Sequence, residues 1–189
     1  MAYGITHSIR GLALACAAIA LPSAALAQDV SADPTDSLPD VEAASLRDAA
    51  TTCAAASDGS AVDIARFIGT GWSELALTDG DGAALPIPVT FLQRGDGDPL
   101  VIVPQSQDEA PVCVSMGVLS AGDAGKEAVK AAFTDAFGAG ETAGEEADED
   151  GASADQTIYR QGANMIVLTF EDDDEQGLVA LAVVVQPGE

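Results

Sequence analysis

Histidine is all but missing from this chain. Among 189 residues the only one is His7, close to the start. A Ser-His-Asp triad, a histidine general base or a histidine-ligated zinc therefore has no residue to build on beyond that point. Cations are nearly as scarce. Seven Lys or Arg stand against 31 Asp or Glu, a formal charge of −24. Such a surface repels nucleic acid and anionic lipid, so neither is an expected partner. Aromatic residues make up 4 %, with Trp72 the lone tryptophan, expected as an anchor in the core or at its rim. Long hydrophobic runs are absent too. The longest near the start, Gly11 to Leu21, is too short to cross a bilayer as a helix, and no membrane span is expected.

That short run has a different use. His7 and Arg10 precede it, Pro22 breaks it, and Ala25-Leu26-Ala27 stands before Gln28. A basic start, an apolar centre and a small-x-small site read as a secretory signal peptide, residues 1–27, cut after Ala27. Leu14-Ala15-Cys16 resembles a lipoprotein box only weakly, because Ala13 stands where leucine is preferred. The expected location is periplasmic or secreted. Cleavage removes His7, Cys16 and Arg10, leaving six Lys or Arg against 31 acids, a formal charge of −25. It also leaves two cysteines, Cys53 and Cys113. An even count in an oxidising compartment points to a disulfide between them, which leaves no free thiol as nucleophile or metal ligand.

Residues 28–40 carry Pro34, Pro39 and several Asp with few large apolar side chains, and are expected as a flexible leader. A single domain over 41–189 follows. Asp40 is placed to cap a helix in which Leu46, Ala49, Ala50, Cys53 and Ala54 share one face. Ser60 and Asp63 are placed to open a short helix through Ile68. Strands are expected at 73–77, 87–92, 100–103 and 112–119. A helix over 124–137 buries Val129, Ala132, Phe133, Ala136 and Phe137, with Ser120 or Asp123 as its cap. The stretch 138–156 has seven acids and no base, and reads as a disordered acidic loop. Strands at 157–160, 164–170 and 178–185 close the chain, the last apolar on both faces and so expected at the centre of a sheet. The class is α+β: a mainly antiparallel sheet with N-terminal and central helices packed on it, in the order α-β-β-β-β-α-β-β-β.

Three motifs invite chemistry. Ser120 to Glu127, SAGDAGKE, sits between a strand and a helix as a phosphate loop would. Ser120 replaces its first glycine, and Glu127 replaces the hydroxyl residue that holds magnesium. Glu146, Asp148, Asp150 and Gly151 match the start of a calcium loop, as do Asp172, Asp174, Gln176 and Gly177. Thr157 and Val183 stand where each loop needs its final acid. Asp79 with Asp81 and Asp96 with Asp98 supply the first pair alone. Arg94-Gly95-Asp96 spells an integrin tripeptide inside what reads as a turn. Tyr159, Arg160 and Lys126 are the remaining polar groups of note.

No catalytic, cofactor or metal residue is assigned, and no cofactor is implied. The expected function is an exported, non-enzymatic binding or accessory module, with another envelope protein as its partner. A carboxylate-dependent hydrolase and a cation-binding protein using the acidic loops are the alternatives. Ligand, pathway and oligomeric state are not encoded in any recognisable motif.

Overall fold

The computed structural model describes residues 38–58, 61–75, 88–105, 111–142 and 155–186. The expected signal peptide and most of the expected leader lie outside them, as does 143–154 of the acidic stretch. Leu38–Leu75 and Pro88–Glu189 belong to one compact unit. It is an α+β fold built on one eight-stranded antiparallel sheet.

Helix α1 (Ala43–Ala56) is rich in alanine, the best helix former, and buries Leu46, Ala49, Ala50, Cys53, Ala54 and Ala56 on one face. Its N-cap is Glu42, without a side-chain bond, and not Asp40. Asp40 is instead drawn into the sheet, where it bridges Val118 in parallel. Backbone bonds Val41 N–H to Val118 O and Val118 N–H to Pro39 O, each 2.9 Å, fasten it there. The end of the expected leader, Leu38 to Asp40, is thus part of the fold. The helix stops at Ser57, whose hydroxyl donates to Cys53 O at 2.9 Å.

Two short strands, β1 (Ser57–Asp58) and β2 (Ala61–Val62), then pair with each other. Strand β2 occupies residues expected in the first turn of the second helix. That helix, α2 (Ile64–Gly69), begins after Asp63, which caps it by accepting from Ala65 N–H, while Ser60 lies outside the described residues. Strands β3 (Ser73–Leu75), β4 (Val89–Gln93), β5 (Leu100–Pro104) and β6 (Val112–Val118) follow as a meander. Helix α3 (Gly122–Phe137) then carries the chain from the sheet's centre to its far edge. From there β7 (Glu141–Thr142), β8 (Asp155–Gln161), β9 (Asn164–Asp173) and β10 (Gly177–Val185) walk back, so that β10 pairs with β6. The strand apolar on both faces is therefore central, flanked by β6 and β9.

Cross-strand register divides the sheet into two faces. Cys113, Ser115 and Gly117 of β6 oppose Val184, Ala182 and Ala180 of β10. This inner face is made of small side chains, and α1 and α3 lie on it side by side. Small residues on both surfaces allow close approach. A Cβ built on Gly117 would lie 2.3 Å from Val41 Cγ1, so only glycine admits the Val41 side chain at that point. In α3, Val129 and Phe133 are the buried residues. Ala136, expected to be buried, is exposed, because the helix is covered on one narrow stripe. Phe133 and Phe137 meet Tyr159 with centroids 5.7 and 6.2 Å away, which seats the end of α3 on β8.

Candidate functional site

Two cysteines lie among the described residues. Cys53 from α1 and Cys113 from β6 are joined as a disulfide, with Cα atoms 5.7 Å apart and both residues fully buried. The loop it closes spans 60 residues, for which chain entropy gives about 4 kcal/mol of stabilisation. Buried on all sides, the bond is a clamp between helix and sheet, with no exposed sulfur for exchange chemistry.

The strand-to-helix turn before α3 makes no phosphate cradle. Gly122 takes a φ of +52°, Ala121 is the N-cap, and neither Ser120 nor Asp123 caps the helix through its side chain. Lys126, the residue a phosphate loop would aim at its ligand, is engaged elsewhere. Its ammonium lies 3.0 Å from Asp155 Oδ2, and Lys130, one turn on, reaches the same oxygen at 2.7 Å. Both ammonium groups also sit over the ring of buried Phe170, 5.4 and 5.7 Å from its centroid. The Lys130 hydrogen bond holds the Asp155 carboxyl below its ordinary range, against the opposing effect of burial, and Lys126 adds to it. Two of the chain's few cations are thus spent on fastening α3 to β8 and β9. The spacing of Lys126 and Lys130 on one helix face was readable in the sequence; their shared partner, far along the chain, was not.

A second ionic cluster holds the turn after β4. Arg94 donates to both oxygens of Asp98 at 3.0 and 2.7 Å, and its guanidinium lies 5.4 Å above the Trp72 ring. This pairing pushes the Asp98 carboxyl down and the Arg94 guanidinium up. Trp72 itself is buried, edge-on to Phe67 at 5.8 Å, and among the described residues its indole Nε1 has no hydrogen-bond partner. The arginine of the Arg94-Gly95-Asp96 tripeptide therefore belongs to the Trp72–Asp98 cluster.

The acidic hairpin between β9 and β10 closes on itself. Asp173 Oδ1 accepts the backbone N–H groups of Glu175 and Gln176, each at 2.9 Å, and Gln176 Oε1 accepts from Leu38 N–H. Those contacts build a turn and a tether for the chain entering at Leu38. Among the described residues, no three His, Cys, Asp or Glu side chains converge so as to hold a metal ion. The other calcium-like stretch, Glu146 to Gly151, and the Asp79/Asp81 pair lie outside the described residues. Among the described residues, the carboxyl groups of Asp98 and Asp155 are both displaced downward by their cationic partners. A general acid requires the opposite displacement.

What remains is the outer face of the sheet, the one turned away from α1 and α3. Register places Leu75, Phe91, Ile102, Val114, Val183, Val167 and Ile158 in a single cross-strand row, one from each of β3, β4, β5, β6, β10, β9 and β8. Leu75 is exposed, Ile102 is buried, and the others are half-buried. Val112, Val185 and Met165 run parallel on one side; Leu100, Met116 and Leu181 do so on the other. Leu38 packs at one end, against Val118 and Val179. Arg160, noted in the sequence, is on this face and exposed, whereas its neighbour Tyr159 is buried on the inner one.

Comparison with protein families, with curated proteins and with solved structures finds no match for this chain.

Proposed function

We propose that this chain is an exported, non-enzymatic module that binds another protein of the cell envelope or exterior. The observation that carries this reading is the outer face: a row of seven apolar residues across adjacent strands, with both long helices on the opposite side. Sheet faces in soluble domains are ordinarily either covered or polar, and a broad apolar one marks an interaction surface. The chemistry of the remaining groups supports the same reading. Both perturbed carboxylates and three of the cations are paired with each other for structural ends. Export is supported by the basic, apolar and small-x-small pattern of 1–27 and by the buried Cys53–Cys113 bond.

The test is native size-exclusion chromatography of the envelope and secreted fractions of the producing cell, with the protein followed by antibody. The expected result is elution in a complex that dissociates to the monomer in denaturant. Elution of the entire population as a lone monomer overturns the reading.

A further inference from the structure

We propose that the partner docks on the outer face of the sheet with a protein surface that has an apolar centre and a rim of Lys and Arg. This rests on the binding-module reading and adds both the site and the partner's chemistry. The extent of the face fits such a contact. At about 4.8 Å spacing the central row of seven strands spans roughly 29 Å, and the flanking rows, each on three strands, bring the height at the middle to roughly 14 Å, with Ile102 and Leu181 themselves buried. A standard interface takes about 800 Å² from each partner, with an apolar core inside a polar rim.

Charge decides what the rim must meet. Glu141 ends the central row, paired with Ile158, while Glu171 stands opposite Val179 and Asp173 opposite Gly177. All three are exposed, and Arg160, opposite Met165, is the cation that shares the face with them. Acids thus outnumber bases around the apolar rows, on a chain whose formal charge is −24. A second copy would bring two acidic rims together and set two strongly negative chains in contact. Like charges brought together across an interface oppose association, whereas a basic rim is attracted and steered to it.

The experiment uses the exported, disulfide-bonded protein and two synthetic helical peptides, one with a leucine stripe flanked by lysine and one with the same stripe flanked by glutamate. Binding is read by fluorescence anisotropy. The Leu/Lys peptide is expected to bind, and to weaken at least roughly tenfold between about 50 and about 300 mM salt. The Leu/Glu peptide is expected to fail. Val183→Lys, at the centre of the row, should weaken the Leu/Lys peptide about tenfold or more. Glu171→Gln should flatten its salt dependence. Glu127→Gln, on the far side of α3, should leave binding unchanged. Ile158→Ser repeats the test nearer the edge if Val183→Lys melts early. Three outcomes overturn the proposal: no binding by either peptide, binding that Val183→Lys and Ile158→Ser leave intact, or a dimer in sedimentation that Val183→Lys dissociates. If the native complex survives Val183→Lys, docking on this face fails while the binding-module reading stands; a lone native monomer removes the reading itself.

Discussion

The two faces of the central sheet are built from alternate residues of the same strands, yet they differ in almost every physical respect. In β10, Ala180, Ala182 and Val184 turn inward and are fully buried, while Leu181, Val183 and Val185 turn outward, Leu181 buried and the two valines half-buried. The inner set is small and is matched by Cys113, Ser115 and Gly117, so an alanine-rich helix can approach until a disulfide joins the two layers. The outer set has the larger side chains, and both long helices pack on the other face. One face is shaped by what it must admit, the other by what it presents.

The strongest way to break the comparison is to cut the inner clamp. Replacing Cys53 and Cys113 together by alanine should cost about 4 kcal/mol in urea unfolding. A loss below about 1 kcal/mol would mean that packing alone holds α1 in place. Next, neighbouring residues can be set against each other. Val184→Thr puts a hydroxyl into the inner layer and should cost about 2 kcal/mol. Val183→Thr, one residue away on the outer face, should cost about 0.5 kcal/mol or less. Equal losses would show that both faces are sealed alike and would remove the asymmetry.

Smaller effects come from the ionic clusters that pin the inner layer. Asp155→Asn deprives Lys126 and Lys130 of their shared partner and should cost about 1 kcal/mol or less, since the pair is partly exposed. Its signature is the pH dependence. Asp155 and Asp98 have folded-state pKa values below the ordinary ones, so their contribution is complete above about pH 4 and is lost as pH falls through the folded values. The melting temperature of the parent protein should drop on acidification below about pH 4, and Asp155→Asn should show a shallower drop. Identical acid profiles would show that the Lys–Asp155 contacts do not bear on stability.

Much of the architecture was legible in the chain. Alternation of Val112, Val114, Met116 and Val118 with Cys113, Ser115 and Gly117 announced a strand with one large and one small face. Helical spacing of Leu46, Ala49, Ala50 and Cys53 announced the helix to lie on the small one. What misled was local capping chemistry. Asp40 has the right side chain to start α1, but its backbone is taken by Val118, a partner 78 positions away in the sequence. The short second helix likewise starts at Asp63, because Ala61 and Val62 before it pair with Asp58 and Ser57 of β1. The ionic clusters were half legible: Arg94 and Asp98 are four apart, whereas Asp155 meets its lysines only after α3 has crossed the sheet.

By itself, then, the sequence determined which residues alternate and roughly where helices and strands lie, because these depend on short-range periodicity. Tertiary structure decided which face of each strand meets the helices, which carboxylate the lysines share, and that seven apolar side chains from seven strands line up as one surface. Register between distant strands brings those residues together, and register is set by packing the whole sheet at once.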